Sequence, residues 1–249
     1  RDVGIKTRFV DDTVFIDSID AFSGPGHIQG KAVVRLNGGT ISSFEGRLEG
    51  DRFQTIYFPE LQVQSSPSLL FAGTPDKIIV KGTILLPDVS VVPTRSSGVA
   101  QVSPDVVRAG KTQPAPHRLP FQLDAQVKMV LGDSVLFKTE SIDAKLTGQV
   151  DLTLQDLDKI SGRGEIRSVK GRFQTYGVQL DIVRGRLLFT GGPIHTPSLD
   201  VLALKTIGDV KAGVTVTGKL PSPVLKLYSD PALQDMDILA YIVLGHPLG

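Results

Sequence analysis

The residues in this chain that could do chemistry are four histidines, His27, His117, His195 and His246, and two close acidic pairs, Asp156 with Asp158 and Asp235 with Asp237. A metal site needs imidazoles brought close by local spacing, and none of the four stands in an HxxxH or HxE arrangement. They read as turn or surface histidines, and no metal is expected. The acid pairs could divide acid and base roles. The first, however, lies on the polar side of a strand-to-turn segment, and the second in the opening turns of a helix, where carboxylates favour the dipole. "GPGHIQGKA", Gly24 to Ala32, has the outline of a phosphate loop, but Pro25 stands where its first glycine is needed and Ala32 follows Lys31 in place of Ser or Thr. It reads as a turn. Without a GxSxG motif or a cysteine, the nucleophile motifs are missing too. The chain reads as non-enzymatic, with no cofactor.

The elements that carry these residues are strands. In "KIIVKGTILLP", Ile78, Val80, Gly82, Ile84 and Leu86 fall on one face, with Lys77, Lys81 and Thr83 on the other beside Ile79 and Leu85. The same alternation sets Leu123, Ala125, Val127 and Met129 against Gln122, Asp124, Gln126 and Lys128, and Val150, Leu152 and Leu154 against Asp151, Thr153 and Gln155. It returns at Val178, Leu180 and Ile182 and at Val214 and Val216. Sixteen to eighteen short strands are expected, joined mostly by hairpin-length turns. RFQT occurs at 52–55 and 172–175, and both copies read as entrances to a strand, as a repeated pattern would need. Two stretches depart from the pattern. Residues 93–118, rich in Pro, Ser, Gly and Gln, read as a flexible loop. In "SDPALQDMDILAYIVLG", Ser229 or Asp230 is the N-cap candidate, Pro231 takes the first helical position and Gly245 the stop, which predicts a helix over 230–244.

With 27 basic and 26 acidic residues scattered along 249, the chain has no electrostatic footprint for nucleic acid and no polybasic membrane patch. No run approaches the roughly 18 apolar residues of a spanning helix. The first residue is Arg1, and the chain reads as a fragment of a larger protein. One short helix cannot cover so much apolar sheet. A sandwich or closed barrel would bury the face in itself, and an open curled sheet would leave it for a ligand. An outer-membrane barrel needs aromatic girdles, and the chain has no Trp and four Tyr.

From 164 to 245 the ordered series "GRFQTYG", "L.I..G.L.F.G", "P.LD..A", "D..AGV.V.G", "P...L.SDP" and "ILAYIVLG" resembles the C-terminal domain of the TamB family. "PFQLDAQVKMVLGDSVLFKTESIDAKLTGQVDLTL" and "IIVKGTILLPDVSVVP" are similar to preceding stretches of that domain. The resemblance implies an AsmA-like, bridge-like lipid transfer protein of the translocation and assembly module. Its fold would be an all-β, extended, curled antiparallel sheet, a β-taco or hydrophobic trough, with one short C-terminal helix, so that 1–249 form one β-taco domain. The function it implies is a periplasm-spanning conduit that shelters phospholipid acyl chains between inner and outer membranes and contributes to outer-membrane biogenesis.

On that reading the groove is lined by Ile78, Val80, Ile84, Leu86, Leu123, Val127, Met129, Val150, Leu152, Leu154, Leu180, Ile182, Leu187, Phe189, Val214, Val216, Leu225 and Leu227. Leu233, Met236, Leu239, Ile242 and Val243 are the residues of a partner-contacting or end-capping helix. The expected partners are phospholipid and a TamA-like Omp85 outer-membrane barrel, with no nucleic acid. Membrane association would come through parts of the protein absent here. The place would be the periplasm of a diderm bacterium, with an inner-membrane anchor and this end near the outer membrane. Two other functions fit the pattern: a scaffold for outer-membrane protein or autotransporter assembly and secretion, offering a strand edge, and, outside the family, a structural or adhesive β-solenoid.

Overall fold

The computed structural model describes residues 3–92, 120–155 and 159–247. The 93–118 stretch, His117, Asp156 and Asp158 lie outside the described residues. Among the described residues fourteen strands form one sheet. The first group is β1 (Val3–Val10), β2 (Thr13–Ser23), β3 (Gly26–Asn37), β4 (Thr40–Asp51), β5 (Phe53–Tyr57), β6 (Leu61–Thr74) and β7 (Lys77–Val91). The second is β8 (Gln122–Lys138), β9 (Ile142–Leu154), β10 (Ile160–Thr175), β11 (Val178–Pro193), β12 (Ser198–Ile207), β13 (Val210–Lys219) and β14 (Val224–Asp230). Among the described residues one helix, α1 (Asp235–Val243), follows β14. The sheet is open and curled, running from β1 to β14, so the all-β expectation is met.

Three features depart from the sequence reading. The strands are fewer and longer than expected, up to the 17 residues of β8. Bulges explain the miscount, since a register shift such as that between Leu131 and Val135 breaks the alternation without ending the strand. Second, the sheet is not wholly antiparallel: β7 and β8 pair in parallel, from Lys77 opposite Gln122 to Val91 opposite Phe137. A parallel partner obliges the chain to return from the end of one strand to the start of the next, which takes a dozen or more residues.

Third, α1 begins at Asp235, not at 230. Ser229 and Asp230 still pair with Ala212 and Lys211 in the β13–β14 ladder, and a residue before proline is biased towards extended backbone. Ser229 Oγ instead accepts a hydrogen bond from the Leu233 N–H at 2.9 Å, in the turn before the helix. Gln234 is the N-cap and makes no side-chain cap bond. Asp235 and Asp237 occupy the first turn, and Gly245, at φ +83°, stops the helix with bonds to the Ala240 and Tyr241 carbonyls.

The RFQT copies also part company. At Arg52, φ is +46° and the chain kinks, so β4 and β5 lie end to end along β6. The second copy closes β10 and leads into a hairpin whose two central residues, Tyr176 (φ +43°) and Gly177 (φ +82°), are both left-handed, as a two-residue turn of matching twist requires. The copies share one property: each sets its phenylalanine, Phe53 opposite Ser65 and Phe173 opposite Leu180, on the same face of the sheet.

Candidate functional site

Side chains opposite one another on neighbouring strands share a face, so the register traces rows across the sheet. One row runs Ile16, Ala32, Gly46, Phe71, Val80, Ala125, Leu154, Ile160 from β2 to β10. A second runs Ile84, Met129, Val150, Gly164, Phe189 from β7 to β11. A third runs Ile182, Ala203, Val214, Leu227 from β11 to β14. These rows lie on one inward face, the more buried of the two.

All eighteen residues read from the sequence as groove lining fall on this face. Their exposure differs along it. Val150 is 0% and Leu180 2% exposed, whereas Leu225 is 63% exposed. Around Val150 the covering group is local: a Cβ on neighbouring Gly162 would meet Ile194 Cδ1 at 2.8 Å, with Val150 and Phe189 behind it. Around Leu180 the cover is α1, whose Ile238 and Ile242 pack on Leu180, Ala203 and Ala212, with Leu233 and Tyr241 beside them. The five helix residues named from the sequence therefore divide. Leu233 and Ile242 face the sheet, while Met236, Leu239 and Val243 are exposed.

Sequence reading missed the same face in β2–β6, where Ile16, Ile19, Val34, Phe44, Leu48 and Phe71 continue it. Ile16 and Ile19 stand three apart because the register shifts between them, and glycines fill alternate positions in β4. At Gly46 a Cβ would strike the Phe71 ring, so glycine there lets the ring lie across the strand.

The outward face carries most of the charged side chains and is laced by cross-strand ion pairs. Arg8 bonds Asp17 at 3.2 Å, Arg35 bonds Glu45 at 2.8 Å, and Arg186 spans Glu165 at 3.0 Å and Asp200 at 3.8 Å. The hydrogen bond from Arg8 pulls the Asp17 carboxyl below its ordinary range, and that from Arg186 does the same to Glu165. A shallow, open depression of about 750 Å³ on this face has Phe15, Val33 and Ile79 in its floor and Asp17, Lys31 and Glu45 among its rim charges. His27 stands outward, its ring 6.2 Å from Phe22, while His195 lies between strands and His246 bonds the Pro247 carbonyl. Among the described residues no three His, Asp or Glu side chains gather as metal ligands. Nor is any described helix long and apolar enough to cross a membrane.

Such a molecule belongs to a class of all-β proteins that offer a long apolar surface on an open sheet. The chain is a member of the TamB family: the model of the TamB C-terminal domain matches residues 17–249. It is also 23% identical over 204 residues to the translocation and assembly module subunit TamB of Haemophilus influenzae, a match covering 75% of this chain and 16% of that protein. The chain thus spans about a sixth of the curated relative's length.

Proposed function

We propose that the inward face shelters the acyl chains of phospholipid passing between the two membranes of a diderm envelope, with this chain in the periplasm as part of a TamB-type protein. The observation that supports this is the continuity of the face, predominantly apolar at its strand-paired positions from β2 to β14. A buried core serves stability equally well in patches. A continuous, mainly apolar face on an open sheet suits a ligand that slides, because apolar contact is offered in row after row. Acyl chains need only apolar contact, so the absence of a required catalytic group costs the reading nothing.

A second reading, assembly of outer-membrane proteins with a TamA-like barrel, is favoured by a different observation. Among the described residues β14 has a ladder partner on one side only, so a strand of another protein has an edge to join.

Native mass spectrometry with lipid extraction on the 249-residue chain tests the first reading, alongside Val216→Arg. Val216 is half-buried on the inward face outside the cluster under α1, whereas Leu180 is packed beneath the helix and its replacement would also disturb α1. Bound phospholipid is expected in the wild type and its loss in the variant, with the circular dichroism spectrum unchanged, because an arginine in the apolar track is costly to desolvate. A folded wild-type chain that carries no lipid after incubation with phospholipid vesicles overturns the reading.

A further inference from the structure

Among the strand-paired positions of the inward face, one side chain is charged. Lys205 sits opposite Ala212 on β13, and Ala212 in turn opposite Ser229 on β14. On its other side, one step beyond the Asp181–Leu204 pair, stands Leu180. Ala212 and Leu180 are 0% and 2% exposed, so the lysine stem leaves from the driest part of the face. On the outward face several lysines meet a carboxylate across the ladder, Lys128 with Asp151 and Lys211 with Asp230 among them. Lys205 has no carboxylate opposite it on either neighbour, and it forms neither a salt bridge nor a side-chain hydrogen bond with a described residue.

Its ammonium lies at the rim of the helix. Nζ is 3.9 Å from where a Cβ on Gly245 would stand, just past the last turn of α1, a turn with no basic residue of its own. The helix C-terminus supplies roughly half a negative charge. That offsets part of the lysine's charge and leaves the rest without a counter-ion, in half-buried surroundings where an unpaired cation is costly. Long basic side chains resolve this by laying the stem on apolar surface and sending the head to the edge, where an anion can meet it.

We propose that Lys205 selects the head of the amphiphile held on this face: an acyl chain lies along the apolar rows beside α1 with an anionic phosphate at the Lys205 ammonium. The proposal rests on the acyl-sheltering reading above and adds to it a preference for chains that end in an anion. A charge-assisted contact of this kind is worth about tenfold in binding.

The test compares dioleoyl phosphatidic acid with dioleoylglycerol, which carry the same chains with and without the phosphate. Each is presented to the 249-residue chain in phosphatidylcholine vesicles, and captured lipid is counted by extraction and native mass spectrometry. The wild type should favour phosphatidic acid about tenfold. Lys205→Met keeps an unbranched stem of similar reach and should bring phosphatidic acid down to the diglyceride level, with diglyceride capture and helical circular dichroism unchanged. Lys205→Arg should retain the preference. If Lys205→Met leaves the preference intact, or lowers both lipids equally, the lysine serves only the end of α1 and the proposal is overturned. Displacement of phosphatidic acid by millimolar inorganic phosphate also overturns it, in favour of a site for free anions. Capture of diglyceride without any phosphate preference overturns the lysine's role while leaving the acyl-sheltering reading in place, and a wild type that captures neither lipid overturns both.

Discussion

At the scale of single residues the two faces of the sheet obey different rules. Inward positions are chosen for being apolar, and Gly46 or Gly162 does as well as valine where a neighbouring side chain, Phe71 or Ile194, fills the space. Several outward positions are paired, a charge on one strand answered across the ladder or along the diagonal. Asp17 and Glu165 are the carboxylates whose affinity for protons is lowered by these pairs. A carboxylate that ionises more readily folded than unfolded contributes stability above the unfolded value, and loses that contribution as pH falls through the folded one. Asp17→Asn and Glu165→Gln should therefore flatten the acid limb of stability against pH, leaving the slope near neutrality unchanged. Both pairs are solvent-exposed, so the effect is small and should shrink further in 1 M salt. Urea midpoints from pH 7 down to pH 3, with and without salt, are the measurement. An acid limb as steep in the double variant as in the wild type would assign it to other carboxylates.

At the scale of elements, α1 is apolar on both sides, and the two sides do different things. Ile242 is 6% exposed against Leu180 and Ala212, whereas Met236 is 64% exposed. Ile242→Ala should cost about 2–4 kcal/mol in the local stability of the helix and its seat. Met236→Ala should cost less than about 0.5 kcal/mol. Hydrogen exchange of the amides in α1 and β13 distinguishes them: faster in the first variant, unchanged in the second. Equal acceleration in both would mean that the outer stripe is also packed. From the sequence, the helix was legible in its stop at Gly245 and its acidic first turn. Its start was not, since Ser229 and Pro231 carry the local signs of a helix entrance while the β13 ladder holds Ser229 and Asp230 extended. Inward residues of β7, β8, β9, β11, β13 and β14 were legible in the sequence, whereas those of β10 and β12, such as Ile166 and Val201, were not named. Those of β2–β6 were hidden where a bulge at Asp17 and Ser18 changes the period and glycines thin the signal. The parallel join of β7 to β8 left no local sign, because strand direction depends on where a long connection returns and not on the residues of the strands.

At the scale of the whole molecule, each strand is held by its ladder neighbours, and packing off the ladder is concentrated where α1 meets β11, β13 and β14 and where β5 meets β2 and β3. No described residue builds a second layer over β2–β4 comparable to α1 over β11–β14. Stability in such a sheet is a sum of neighbouring terms, much as in a repeat protein, and a local lesion should stay local. Val150, fully buried in the middle of β9, is the place to make one. Val150→Ala removes two buried methyl groups and should cost about 1–3 kcal/mol there. Amide exchange should rise in β8–β11, whose strands or covering residues touch Val150 directly or through one neighbour. In β2–β4, separated from β9 by β6, β7 and β8, it should not change. A single cooperative domain would transmit the loss to every slowly exchanging amide. Uniform acceleration from β2 to β13 would therefore mean that the sheet folds as one unit, and that the inward face is coupled along its length. Acceleration confined to β8–β11 would leave the face a series of semi-independent rows, able to open at one point for a ligand while the rest of the sheet stays closed.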